Sequence, residues 1–309
     1  MRILITGGTG LIGRALIDFL LPAGHELIVL SRTPERAALP AGVTLARWDG
    51  RSSEGWAQWM DGADAVINLA GESIAGAGPV PARWTPARKQ RILQSRLDAT
   101  QAVVSAIEQA ANRPQVLVQG SAVGFYGPHN DDTPLDESAP AGSDFLAQVV
   151  TQWEAASAPV EALGVRRVLA RTGLVLSARG GSLPPMLLPF KLFAGGPLGS
   201  GRQWMPWIHI EDEVRALAFL MQDARASGPY NLVAPNPVQN RAFAQALGKA
   251  LHRPAFMPAP APILRLALGE LATLLLDGQR AVPARLDELD FRFRFPKLDA
   301  ALKNLVGEA

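Results

Sequence analysis

The chain opens on three apolar residues, Ile3-Leu4-Ile5, and runs at once into Gly7-Gly8-Thr9-Gly10, with Gly13 two residues past Leu11. An apolar strand feeding Gly8-x-Gly10-x-x-Gly13, followed by a helical pattern over residues 11–21, leaves few folds open. The spacing asks for a tight turn, a backbone that an outside group can approach, and a helix packed hard on the preceding strand. The amino end of that helix then offers free N–H groups and the positive end of its dipole, which suits a phosphate. Three glycines alone mark only a turn. Between a first strand and a first helix they predict a nucleotide site made by Gly7, Thr9, Gly10, Leu11, Ile12 and Gly13.

Further apolar runs follow at 26–30, 43–46, 65–70, 116–118 and 165–170. Helical patterns separate the later ones: one after Pro86, with Leu93, Leu97, Val104, Ile107 and Ala111 on one face, and one over 144–163. Strands that are apolar along their whole length are covered on both faces, so the expected fold is α/β, a Rossmann doubly wound parallel sheet. After Arg179 glycine and proline break the pattern, and residues 207–210 with a helix over 211–221 look like a return to the sheet. The expected division is a Rossmann domain of residues 1–178 with 203–235, and a small, mostly helical C-terminal substrate lobe of 179–202 with 236–309. Loops 75–85 and 180–205 would line the cleft between them. Residues 263–276 are apolar apart from Arg265 and Glu270. That stretch is shorter than the ~20 residues of a membrane span, so burial against the sheet is expected, with a docking or dimerising helix as the alternative.

Composition removes several classes. Cysteine is absent, which excludes disulfides, thiolate metal sites and cysteine nucleophiles. Thirty basic residues nearly balance 28 acidic ones. They form no run of the kind a nucleic-acid or membrane-surface binder shows. Four histidines without paired spacing offer no metal site. The expectation is a cytoplasmic protein with a small-molecule substrate and no nucleic-acid or membrane partner.

Cofactor preference is read at the end of the second strand, where an acidic residue would bond the 2′-hydroxyl of NAD. Here the residues are Ser31 and Arg32. A guanidinium and a hydroxyl suit a 2′-phosphate, which a carboxylate would repel, so NADP(H) is expected. Leu69, Ala70 and Gly71, after Asn68, would let the ribose and nicotinamide approach the backbone, and Asp49 is a lesser candidate on the adenine side.

These residues resemble the extended short-chain dehydrogenase/reductase superfamily, in its NAD-dependent epimerase/dehydratase-like branch. Thr6 to Gly13 is similar to its opening phrase, Gly120-Ser121-Ala122-Val123-Gly124-Phe125-Tyr126-Gly127 to its serine segment, and Trp207-Ile208-His209-Ile210-Glu211-Asp212 to its late stretch. More narrowly, the chain is similar to an atypical subfamily with a C-terminal domain of unknown function. Ser95-Arg96, Asp144-Phe145-Leu146-Ala147, Trp153-Glu154, Arg171 to Val175 and Gly278-Gln279-Arg280 carry that likeness. The resemblance implies oxidoreductase or epimerase chemistry on a carbonyl or hydroxyl carbon of a small substrate, sugar nucleotides among them, with Arg96 and Arg171 joining the cofactor site. It also implies a homodimer through the long helices, with Val103, Ile107, Phe145 and Val149 at the contact.

That superfamily moves protons with a Tyr-x-x-x-Lys pair, one helical turn apart. Here Tyr126 is followed four residues later by Asn130 and Tyr230 by Ala234, while Phe145 and Val149 stand where the pair would sit. The pair is absent. The substitutes are Ser121, to bind a substrate oxygen, and Tyr126, as an acid or as a wall of the substrate site. Glu72 could act as base, and Lys89 with Arg96, seven apart on a helix, could grip an anion or simply face solvent. His209 is expected to bond the local backbone. The alternative is a non-catalytic NADP(H)-binding sensor or scaffold.

Overall fold

A computed structural model describes residues 1–76, 81–129 and 131–307. Residues 77–80 of the expected cleft loop lie outside it. The chain folds as β1 (Arg2–Thr6), α1 (Leu11–Leu20), β2 (Glu26–Ser31), β3 (Val43–Arg47), β4 (Ala65–Asn68), α2 (Pro86–Gln109), β5 (Val116–Ala122), α3 (Phe145–Ala156), α4 (Pro159–Ala162) and β6 (Arg166–Thr172). Then come β7 (Leu174–Leu176), α5 (Leu183–Lys191), β8 (Trp204–Met205), β9 (Trp207–His209), α6 (Ile210–Gln222), β10 (Gly228–Leu232), β11 (Val238–Gln239) and α7 (Asn240–Leu251). α8 (Ala261–Leu268), α9 (Thr273–Leu276), α10 (Ala284–Glu288) and α11 (Leu298–Val306) complete it.

Seven strands pair in parallel in the order β10-β6-β5-β4-β1-β2-β3, the doubly wound sheet the apolar runs call for. Alternate side chains of each strand feed opposite layers. Ile3, Ile5, Val29 and Ile67 pack with Leu16 and Ile17 of α1 and Leu217 of α6. Leu4, Ile28 and Val66 pack with Val103 and Ile107 of α2. Each such side chain, fully buried, contributes about 1.5–3 kcal/mol. A further core joins Leu183 and Phe190 of α5, Trp207, Phe243 and Leu247 of α7, and Leu302 of α11.

The structure differs from expectation in several places. Residues 207–209 do not return to the main sheet but pair with β7, and the seventh strand is β10, whose Gly228-Pro229 start and central Asn231 hide it from periodicity. The helix expected over 144–163 ends at Ala156, and Pro159 begins a separate short turn of helix, as its missing N–H favours. Of the four residues expected at a dimer contact, Val103, Ile107 and Val149 are buried within the protomer and Phe145 is half-buried. Of the stretch expected to bury on the sheet, Leu271 packs with Trp84, Ile92 and Val149 and Leu268 lies against them, whereas Ile263 and Leu266 of α8 are exposed. Leu286 and Phe291 meanwhile join the Rossmann core, although they lie in the expected C-terminal lobe.

Candidate functional site

The sheet reverses its winding between β1 and β4, and a crevice opens there at the strands' carboxyl ends. Gly7 lines it with φ +68°, and a Cβ there would lie 2.7 Å from the Leu69 carbonyl atoms. Gly8 faces Val29, whose Cγ1 would stand 2.6 Å from a Cβ. Gly13 seats α1 on the turn, because a Cβ would meet the Gly7 oxygen at 2.4 Å. Gly10 is different. It is exposed with an ordinary φ of −78°, and a Cβ would approach only the Gly7 oxygen, at 3.2 Å. Gly10 caps α1 with no side-chain acceptor and no acidic residue in the first turn, which leaves the N–H groups of Leu11, Ile12 and Gly13 to an outside acceptor. Thr9 is exposed beside them, and its carbonyl accepts from Arg14 Nε at 2.9 Å. Arg14 Nη1 also donates to the Ala38 carbonyl, so this residue, which sequence reasoning missed, ties the turn to the segment after β2.

Ser31 is buried at the end of β2 and its Oγ accepts from Thr33 N at 3.2 Å. Arg32 is exposed and forms no ion pair among the described residues, whereas nearby Arg47 is held by Glu35 at 2.8 Å. Asp49 is engaged locally. Its carboxylate closes a local turn, accepting from the N–H groups of Arg51 and Ser52 and from Ser52 Oγ.

Across the crevice, Thr6 Oγ1 donates to Asn68 Oδ1 and accepts from Ala70 N, while Asn68 Nδ2 donates to Gln119 and Thr100. This buried network fixes Leu69, Ala70 and Gly71. Gly71 lies over Arg96, whose guanidinium carbon would be 3.2 Å from a Cβ. Arg96 donates to the carbonyls of Glu72 and Ile92 and lies 5.0 Å from the Trp153 ring. Burial lowers its pKa to about 10, with Glu72 acting the other way.

The acid–base candidates fare differently. Tyr126 is 1% exposed; its hydroxyl donates to Asn231 Oδ1 at 2.7 Å and accepts from Arg171 Nη1 at 3.1 Å. Burial raises its pKa, and its hydroxyl is bonded on both sides within the protein. Arg171, expected at the cofactor site, is bonded to side chains of the protein. Its Nε and Nη2 donate to the two carboxylate oxygens of Glu154, at 2.8 and 2.9 Å, and its plane covers the Phe125 ring. Burial works against its charge, but Glu154 more than offsets this and raises its pKa. Ser121 Oγ donates to the same carboxylate at 2.5 Å and is 5% exposed. Glu137 completes the cluster, accepting from Asn231 N at 2.9 Å. Glu154, Asn231 and Glu137 were missed because they sit 17 to 105 positions from the residues they bind.

Lys89 does not act with Arg96. It bonds Glu270 and lies 4.8 Å from the Phe145 ring. Glu72 stands between Arg88 at 3.8 Å and Arg91 at 3.5 Å. His209 caps α6 as expected, accepting from Glu211 N at 3.1 Å. Its burial lowers its pKa, and it stacks on Phe295. Among the described residues no three His, Asp or Glu side chains gather as a metal site.

The turn, the uncapped helix end and the switch point define a dinucleotide-binding doubly wound protein, with a C-terminal extension. Residues 3–233 match the NAD dependent epimerase/dehydratase family, and residues 259–305 match a domain of unknown function, DUF1731. The chain belongs to that epimerase/dehydratase family. It is 40% identical to the epimerase family protein YfhF of Bacillus subtilis, over 100% of this chain and 99% of the relative. It is 42% identical to the epimerase family protein SDR39U1 of Mus musculus, over 99% of this chain and 100% of the relative. A solved structure of human SDR39U1 (isoform 2) with NADPH covers 100% of both chains at 37% identity and a TM-score of 0.89.

Proposed function

We propose that this protein binds NADP(H) and exchanges a hydride with a carbonyl or hydroxyl carbon of a small molecule. The observation that carries the reading is the open Gly10 position above an uncapped α1, with Arg32 unpaired at the end of β2. Gly10 to Gly13 would hold the pyrophosphate, Arg32 and Ser31 the 2′-phosphate, and Ala70 with Gly71 the ribose. When bound, the nicotinamide would supply the redox chemistry. The human SDR39U1 structure, solved with NADPH, supports the NADP form. Sugar nucleotides are the first substrates to try, because a Corynebacterium glutamicum protein 33% identical to this chain, which covers 58% of it, is named a nucleoside-diphosphate sugar epimerase.

The test is titration of the full-length protein with NADPH and NADH, before and after Arg32→Ala. The substitution should weaken NADPH on the order of tenfold to a hundredfold and leave NADH nearly unchanged. Tighter NADH binding by the wild type, or equal losses for both cofactors, overturns the assignment.

A second reading, a non-catalytic NADP(H) sensor or scaffold, is favoured by one observation. Tyr126, Ser121, Glu72 and Lys89 are each bound to other side chains of the protein. Carbonyl and sugar-nucleotide panels followed by NADPH absorbance separate the two. A wholly inert panel with saturating cofactor supports the second.

A further inference from the structure

Large apolar side chains that stay exposed gather in one place. Among the described residues, eight of ten come from segments 188–193 and 256–274. The fold sets these segments side by side. Met257 N donates to the Gly195 carbonyl at 3.0 Å and Ala259 N to that of Pro197 at 2.9 Å. The Arg253 guanidinium lies 4.7 Å from the Phe193 ring. α8 follows directly and presents Ile263 and Leu266, one turn apart, at 61% and 79% exposure. A contiguous apolar patch on a folded chain marks a contact surface, and although Leu268 packs on the core around Trp84 and Ile92, Ile263 and Leu266 of α8 stay exposed.

Charge indicates what covers it. Residues 162–210 and 224–269 contain no aspartate or glutamate. Both patch-forming segments fall within those stretches apart from the last few residues of the second, and their exposed cations are Lys191, Arg253 and Arg265. None of the three forms an ion pair among the described residues. A second copy meeting this patch by two-fold symmetry would set these cations against their own images, which is repulsive. Apolar side chains flanked by unpaired cations, with Glu270 the one carboxylate of these segments and already paired with Lys89, complement an anionic amphiphilic surface.

We propose that this face docks on an anionic lipid bilayer. Leu192, Phe193, Phe256, Met257, Ile263 and Leu266 enter the interfacial layer, and Lys191, Arg253 and Arg265 meet the headgroups. The contact stays on the surface, since no helix of the described residues is long and apolar enough to cross a membrane. Arg83, between β4 and α2, donates to the carbonyls of Leu266 and Ala267, so the docked face adjoins the wall that leads to α2. The cations are scattered along the sequence and only the fold assembles them. That is why no basic run marks the surface.

The test is co-sedimentation of the full-length protein with phosphatidylglycerol/phosphatidylcholine vesicles and with pure phosphatidylcholine vesicles, at low and raised salt. Binding to the anionic vesicles is expected, with loss in high salt and on pure phosphatidylcholine. Phe256→Glu with Leu266→Glu should abolish it. Lys191→Gln, Arg253→Gln and Arg265→Gln together should weaken it on the order of a hundredfold, at about fivefold per cation. NADPH titration of each variant shows that the fold is intact, and it separates failure of this proposal from failure of the cofactor assignment. Wild type that ignores anionic vesicles overturns the proposal, as does full binding by the Glu variants. Self-association of the free protein that Leu266→Glu removes assigns the face to a second copy and overturns it too.

Discussion

Glu213 lies in the first turn of α6 with no exposure to solvent. One carboxyl oxygen accepts from Thr172 Oγ1 at 2.8 Å and the other has no partner. No cation offsets its charge. Asp212, beside it, takes Arg215 and the N–H groups of Arg294 and Phe295 for itself. Burial therefore raises the Glu213 pKa from 4.5 to about 8, with the Thr172 bond opposing. Between those values the unfolded chain ionises this group and the folded protein keeps it protonated. The folded state then binds more protons, so its stability falls as pH rises, by about 1.4 kcal/mol per unit and on the order of 5 kcal/mol across the whole interval. Glu213→Gln keeps a carbonyl for Thr172 and has no proton to lose. Urea unfolding at pH 5.5 and 7.5 should show wild type losing roughly 3 kcal/mol more than the variant. Parallel profiles for the two proteins would refute a neutral, buried Glu213.

The glycine turn offers a paired contrast. Gly13→Ala drives a Cβ into the backbone of Gly7 and Gly8 and should cost about 1–3 kcal/mol by thermal unfolding, while Gly10→Ala should leave stability nearly unchanged and abolish NADPH binding. Tyr126→Phe strips a partner from both Asn231 and Arg171 and should destabilise by about 1–3 kcal/mol. If a substrate is found, the same variant should retain its turnover, and complete loss would return Tyr126 to the chemistry. Glu154→Gln leaves the Arg171 charge buried without its carboxylate and should cost about 3–5 kcal/mol in urea unfolding.

The sheet was legible because its physics is local. Each strand that must be covered on both faces is written as an unbroken apolar run, and Gly7, Gly8 and Gly13 each answer a steric need within the turn or the adjoining strands. β10 escaped because Pro229 and Asn231 interrupt its apolar run, and Asn231 spends its side chain on Tyr126, Leu135 and Val282 rather than on the core. The helix over 86–109 was legible as a helix and in part in its rotation, since Val104 and Ile107 of the expected face are buried. Ile92, Ala99 and Val103 face inward, while Leu93 and Leu97 are only half-buried.

The acid–base site was legible only in what it lacked. Absence of the Tyr-x-x-x-Lys pair can be counted, but what replaces it depends on pairings across the sheet. Ser121 and Arg171 are register partners on β5 and β6, and α3 brings Glu154 onto both. One residue further along, Ala122 and Thr172 are partners whose side chains point to the opposite layer, where α6 supplies Glu213. Each layer thus places a hydroxyl at a strand end against a buried glutamate, and the two glutamates differ in a single respect. Glu154 has an arginine, which bonds both of its carboxylate oxygens. Glu213 has none, so it keeps its proton near neutral pH. Register is set by the hydrogen-bond ladder of distant strands, and no spacing along the chain encodes which glutamate meets which hydroxyl. The cofactor cradle is a property of backbone and could be read from glycine alone. The proton inventory is a property of which side chains the sheet brings together.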